Sequence, residues 1–109
     1  MNITETPAGR VTVAALDGRL DTATAGAAEA RLLALLGQGG VVADLAATRY
    51  VSSAGLRVLL KVAKQAKAAG AAFAVCGLQP AVKEVFEISG FDRVLSVHGS
   101  RDEALTALG

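Results

Sequence analysis

The chain has 109 residues, of which 52% are apolar and 19% are charged, and its formal net charge is +1. This length supports one domain, residues 1–109, with a core of its own, and the small net charge gives no overall field that would draw it to nucleic acid or a membrane. No stretch reaches the roughly 18 consecutive apolar residues of a membrane span, and residues 1–7 lack the apolar region of a signal peptide. We therefore predict a cytoplasmic protein that neither binds nucleic acid nor inserts into a membrane.

The N-terminal stretch is typical of a β-hairpin followed by a loop. Residues 2–5 and 11–16 have the composition of strands, and Pro7 and Gly9 between them favour a turn. The two strands are predicted to pair in antiparallel fashion. Residues 18–22 are predicted to form a loop.

An alanine-rich helix is predicted next, ending near Leu36 ahead of a glycine-rich segment. Its N-cap is expected to come from one of three side chains that can accept a backbone hydrogen bond, Asp21, Thr22 or Thr24. Its apolar positions follow helical spacing and are expected to face the core: Ala28, Leu32, Leu35 and Leu36.

The middle of the chain predicts a buried strand, a link and a long helix. Residues 41–45 form a short apolar run with one acid inside it, Asp44, which favours a strand with a structural carboxylate. Residues 46–50 are predicted to be a polar link. Ser52 and Ser53 then stand where a helix N-cap belongs, because a serine oxygen can accept a hydrogen bond from the first helical turn. Either serine can fill that position.

The helix that follows has an apolar side and a basic side when its residues are placed at 100° per step. The apolar side is expected to face the core and consists of Leu56, Leu59, Val62, Ala63 and Ala66. The opposite side carries Arg57, Lys61, Lys64 and Lys67, together with Ser53 and Leu60. A basic helix side is usually only solvated. Here it includes a hydroxyl at the positive end of the helix dipole and a leucine, which indicates a docking face.

The C-terminal third predicts two more strands and two more helices. A strand over residues 72–76 is followed by a helix over residues 81–89 with Pro80 at its first position and Gly90 as its stop. The predicted buried side of that helix is Val82, Val85, Phe86 and Ile88. A short strand through Val97 leads to a closing helix over residues 101–108, capped by Ser100. The alternation predicts an α/β fold with a mixed, mostly parallel sheet of about five strands, about four helices and an N-terminal antiparallel hairpin.

The residues that could carry chemistry do not form an enzyme site in this sequence. His98 is predicted to lie in a solvent-facing loop, with no cysteine or carboxylate pair beside it. Cys76 lies in an apolar run and is interpreted as a small buried hydrophobe. The segment around Ser53 is not the Gly-x-Ser-x-Gly of a hydrolase. We predict a protein that is not an enzyme and that holds no metal or cofactor.

The order of these motifs resembles a known family. A strand ending in Asp44-Leu45, a short link and the helix start Ser53-Ala54-Gly55-Leu56 are similar to the marker of a STAS domain of the anti-sigma factor antagonist type. Residues 18–21 look like the strand end and loop of that family, and residues 82–95 look like its closing segment. The resemblance implies that Ser53 is phosphorylated by a partner that is both a serine kinase of the ATPase-fold class and an anti-sigma factor. A serine phosphatase would reverse the modification.

The resemblance implies a partner-binding surface at the start of the central helix, with the unphosphorylated form releasing a sigma factor. Its residues are Asp21, Ser52, Ser53, Gly55, Arg57, Leu60, Lys61 and Lys64. Two positions depart from the family pattern, because Ser52 stands where an acid is common and Ala54 replaces a hydroxyl residue. A second interpretation therefore stays open, a constitutive subunit like the small cytoplasmic subunit of a lipid-transport ABC complex, with Ser53 mainly a cap. A small nucleotide-binding module would need an anion or base pocket that the sequence does not show.

Overall fold

A mixed sheet of six strands forms the centre of the computed structural model, which describes residues 1–108. The strands are β1 (Asn2–Ala8), β2 (Val11–Leu20), β3 (Gly40–Asp44), β4 (Thr48–Val51), β5 (Phe73–Cys76) and β6 (Val97–His98). The helices are α1 (Ala25–Leu36), α2 (Ser53–Ala69), α3 (Pro80–Ser89) and α4 (Arg101–Leu108), with a short 3-10 helix at Phe91–Arg93. No helix in this part of the chain is both long and apolar enough to span a membrane.

The strand order is β1-β2-β3-β5-β6, and β4 pairs with the carboxyl end of β2. Among the strand pairs of residues 1–108, only β1-β2 is antiparallel, and its turn is made at Gly9, whose φ of +67° favours glycine. All other pairs are parallel. The predicted α/β fold with an N-terminal hairpin, a mostly parallel sheet and four helices is confirmed.

The sheet separates two apolar clusters because successive strand residues point to opposite faces. In β3, Val41 and Ala43 belong to the larger cluster beneath α1, α2 and α3, whereas Val42 belongs to the smaller cluster beneath α4. The predicted core positions of α1 are buried, and those of α2 are buried except Ala63, which is half-buried. The helical spacing therefore identified the inward sides of both helices.

Most predicted helix ends are confirmed. Gly70 and Gly90 end α2 and α3 with φ angles of +70° and +77°, the left-handed conformation that glycine adopts most easily. Pro80 is the first residue of α3. The Ser100 hydroxyl accepts a hydrogen bond from the Glu103 N–H at 3.1 Å, and the Glu103 carboxylate accepts one from Gly99 N–H. The first of these bonds caps α4, and the second ties the preceding residue to the same turn.

Two segments predicted as irregular are strands. Gly18 to Leu20 continue β2 instead of opening a loop, and Thr48 to Val51 form β4, which overlaps the predicted link of residues 46–50. The two segments pair with each other, and the Gly18 N–H donates to the Ala47 carbonyl at 3.1 Å. Gly18 has a φ of +125° beside a shift in register, so a residue that suggested a turn forms an irregularity inside a strand.

Two predicted core residues of α3 are exposed, which corrects the sequence interpretation. Val82 and Phe86 are buried as expected, but Val85 is 37% exposed and Ile88 is 79% exposed. Only one narrow side of α3 packs on the sheet. Val82 and Phe86, which are four positions apart, fill that side. His98 is also not a solvent-facing loop residue. It is half-buried in β6, where it pairs with Cys76 and its ring bonds to Ser96.

Candidate partner-binding site

The carboxyl end of β2 and the first turn of α2 meet at Leu20. The Leu20 carbonyl accepts a hydrogen bond from Ser52 N–H at 2.9 Å. A Cβ added to Gly55 would lie 2.5 Å from the same oxygen, closer than any side chain can approach. Glycine thus allows α2 to begin directly on β2. Gly55 is buried and does not belong to the exposed surface to which the sequence assigned it.

The two serines at the start of α2 have different environments. Ser52 is the N-cap, and its hydroxyl accepts a hydrogen bond from Gly55 N–H at 3.2 Å. Ser53 is the first residue of α2 and is exposed, and its hydroxyl makes no hydrogen bond within residues 1–108. The choice that the sequence left open is settled in favour of Ser52 as the cap. The Ser53 side chain is therefore exposed to solvent and takes no part in the cap.

This division of roles predicts unequal effects of removing the two hydroxyls. Ser52→Ala is expected to lower the free energy of unfolding by about 1 kcal/mol because α2 loses its side-chain cap. Ser53→Ala is expected to change it by less than about 0.5 kcal/mol because the lost group is exposed and unbonded. Urea unfolding followed by circular dichroism would measure both. A larger loss for Ser53→Ala than for Ser52→Ala would contradict the assignment of the cap.

The predicted basic side of α2 is exposed to solvent. Arg57, Lys61 and Lys64 are exposed, and Leu60 is half-buried. Lys61 Nζ lies 3.3 Å from the Glu29 Oε2 atom on α1, so this lysine is partly neutralised. Arg57 and Lys64 form no ion pair within the described residues. The first turn of α2 contains no acid, so no carboxylate of this helix offsets the positive end of its dipole.

Asp21 lies at the same junction, because it directly follows Leu20. Its Oδ1 atom accepts hydrogen bonds from the N–H groups of Ala23 and Thr24 at 3.0 and 3.3 Å. Thr24 occupies the N-cap position of α1 but makes no side-chain cap bond there. Of the three predicted cap candidates, Asp21 therefore organises the entry into α1, and it is half-buried.

Two residues beside this junction were missed by the sequence interpretation. The Arg19 guanidinium carbon lies 4.4 Å from the ring centroid of Tyr50, which is 43% exposed, and Arg19 Nε is 3.6 Å from Asp21 Oδ2. An open polar cleft of about 390 Å³ adjoins them and includes Arg49. The sequence did contain an indication of β4, the strand that carries Tyr50. Its residues Thr-Arg-Tyr-Val, over Thr48–Val51, suit a strand better than a link.

Asp44 and Cys76 have structural surroundings on the α4 side of the sheet. Asp44 accepts hydrogen bonds from Ala46 N–H at 3.0 Å and from Arg101 Nη2 at 2.8 Å, so it joins the end of β3 to α4. Burial raises the pKa of the Cys76 thiol to about 11, and the charge of Asp44 adds to this shift. The predictions of a structural Asp44 and of Cys76 as a small buried hydrophobe are confirmed.

Known proteins match this chain over most of its length. Residues 2–104 match the family model of the STAS domain. BtrV of Bordetella bronchiseptica, which carries the name of an anti-sigma factor antagonist, is 45% identical over 97 residues, covering 87% of this chain and 84% of BtrV. The crystal structure of an anti-sigma factor antagonist from Mycobacterium paratuberculosis is 26% identical with a TM-score of 0.89, covering 98% of this chain and 92% of that one.

The anti-sigma factor antagonist SpoIIAA in its unphosphorylated form has the same fold, with a TM-score of 0.79 at 18% identity and coverage of 95% of this chain and 93% of SpoIIAA. The resemblance inferred from the serine motif is confirmed by these matches. The chain therefore belongs to the STAS domain family and, within it, to the anti-sigma factor antagonists.

Proposed function

We propose that this chain is a phosphorylation-controlled binding protein that acts in the cytoplasm. With Ser53 unmodified, it binds an anti-sigma factor that is also a serine kinase of the ATPase-fold class, and a sigma factor is released. The observation that carries the proposal is the exposed, unbonded Ser53 hydroxyl, which stands apart from the capping hydroxyl of Ser52. The similarity to BtrV supports it, because that relative is named for antagonism of an anti-sigma factor.

The proposed binding surface is the exposed side of the junction between β2 and α2. It contains a small neutral hydroxyl, a half-buried leucine and several cations, a combination that suits a partner surface with acidic and apolar groups. Its residues are Asp21, Ser52, Ser53, Arg57, Leu60, Lys61 and Lys64. Gly55 supports this surface from beneath.

Phosphorylation of Ser53 is proposed to end the complex without disturbing the fold. The Ser53 oxygen attacks the γ-phosphorus of ATP held by the kinase, ADP leaves, and the hydroxyl proton passes to a base of the kinase. The new group adds roughly −1.5 to −2 charges at pH 7, which the amino end of a helix accommodates. In the docked complex the same charge faces desolvation and the acids of the partner. A serine phosphatase would restore the binding form.

The proposal predicts a large loss of affinity for Ser53→Asp. Three baits, the wild type, Ser53→Ala and Ser53→Asp, would capture proteins from a lysate of cells that express the chain naturally, with mass spectrometry identifying them. The captured kinase would then be titrated calorimetrically. Ser53→Ala is expected to bind within about threefold of the wild type, and Ser53→Asp about 100-fold more weakly, which corresponds to about 3 kcal/mol.

Thr106→Asp is the matched control, because Thr106 is an exposed hydroxyl residue on α4, across the sheet from α2. It adds the same charge away from the proposed surface and is expected to bind like the wild type. Equal binding of one kinase by all four baits would contradict the switch. Equal capture of a transporter subunit would instead support the constitutive interpretation, with the α2 surface holding a permanent partner.

A further inference from the structure

Ser53 and Arg57 are neighbours on the surface of α2. They stand four positions apart in one continuous helix, and both are exposed. Side chains at this spacing lie one above the other on a helix surface, and an acid placed four residues before a base gives the favourable orientation for an ion pair. A phosphate on Ser53 would therefore stand within reach of the Arg57 guanidinium.

Arg57 has no counter-ion within the described residues. Four other cations are paired, Arg19 with Asp21, Arg31 with Glu5, Lys61 with Glu29 and Arg101 with Asp44.

The helical neighbours of Arg57 do not supply an acid either. Ser53 and Ala54 precede it by four and three positions, and Leu60 and Lys61 follow it by three and four. Lys61 is itself a cation, so Arg57 faces a like charge on one side and a neutral hydroxyl on the other. Of these four neighbours, Ser53 is the one whose side chain can gain a negative charge, through phosphorylation.

We propose that Arg57 is the internal counter-ion of phosphorylated Ser53. The inference rests on the proposed function in one respect, the phosphorylation of Ser53. A guanidinium can donate two parallel hydrogen bonds to a phosphate, which a lysine ammonium cannot match in geometry. Arg57 then has two states. In the unmodified chain its guanidinium is free to meet an acid of the partner, and in the phosphorylated chain it turns to the phosphate.

This pairing means that phosphorylation changes the docking surface twice. It adds negative charge at Ser53, and it withdraws the Arg57 cation, four positions further along the same helix, from the partner. Leu60 and Lys64 stay unchanged, and Lys61 keeps its pair with Glu29. We therefore expect phosphorylation to lower the affinity for the partner by more than the added charge alone would, because Arg57 is lost to the partner as well.

The test is a phosphorus NMR titration of the full chain with phosphoserine installed at position 53 during translation, so that no kinase is needed. The cation favours the dianionic phosphate, so Arg57→Gln is expected to move the midpoint of the second phosphate ionisation to higher pH by roughly 0.3 unit, the size of a helical ion pair. Lys64→Gln removes the same charge from the same helix side, about 16 Å along the axis from Ser53, and is expected to leave the midpoint unchanged.

Arg57→Lys is a third variant, and its ionisation midpoint is expected to lie between those of the wild type and Arg57→Gln. Circular dichroism spectra that match the wild type would show that the variants are folded. Equal midpoints in the wild type and Arg57→Gln, or equal shifts in Arg57→Gln and Lys64→Gln, would overturn the inference. Neither result bears on partner binding. A negative result in the titration is therefore distinct from failure of the proposed function, which the capture experiment with Ser53→Asp tests.

Discussion

Gly55→Ala is expected to lower the free energy of unfolding by about 2 to 3 kcal/mol, the cost of forcing an atom into a packed site. The added Cβ would lie 2.5 Å from the Leu20 carbonyl oxygen and 2.9 Å from Leu20 Cγ. The backbone cannot move away freely, because that oxygen also accepts the hydrogen bond from Ser52 N–H. The helix would have to shift away from β2, and the exposed Ser53 would shift with it.

Gly26→Ala provides the control for this substitution. Gly26 lies in α1, and a Cβ added there would meet nothing within 4 Å. Alanine is the better helix former, so this variant is expected to gain about 0.5 to 1 kcal/mol. Urea unfolding of both variants would measure the contrast. A Gly55→Ala protein as stable as the wild type would show that α2 does not rest on β2 at this distance.

Phe86→Ala is expected to lower the free energy of unfolding by about 3 to 5 kcal/mol, because it removes a large side chain from the core and leaves a cavity. Phe86 has no exposed surface and belongs to the larger apolar cluster. It lies on α3, which it holds to the sheet together with Val82. Thermal or urea unfolding would give the loss.

Ile88→Ala is the matched comparison on the same helix. Ile88 is 79% exposed, so its truncation is expected to change the free energy of unfolding by less than about 0.5 kcal/mol. Helical spacing alone had placed Ile88 and Phe86 on one buried side. Equal losses from the two truncations would contradict the exposed position of Ile88 and favour the buried side that helical spacing predicts.

Several features of this protein are determined locally in the sequence. The inward side of α2, its end at Gly70 and the position of Pro80 depend on side-chain spacing and backbone conformation within one helix, and these predictions were confirmed. The Asp44-Leu45 strand end and the serine motif also lie within one short segment, which is why the family could be named from the sequence. In each case the physical cause acts over a few residues.

The roles of the individual site residues could be assigned only from the tertiary structure. Ser52 and Ser53 are chemically identical neighbours, and only the approach of α2 to Leu20 shows which hydroxyl is the cap and which is exposed. The buried position of Gly55 follows from the same approach.

The strands and the outward residues were decided in the same way. The extension of β2 and the strand β4 depend on hydrogen bonds between segments about 30 residues apart, and they place Arg19 over Tyr50. Ile88 is exposed because no other element within residues 1–108 covers its side of α3, and helical periodicity carries no information about such cover. The positions of the four helices, the glycine ends of α2 and α3 and the family followed from the sequence, because each depends on spacing within a short segment. The cap of α2 and the burial of Gly55 followed from the fold, because they depend on contacts between distant segments.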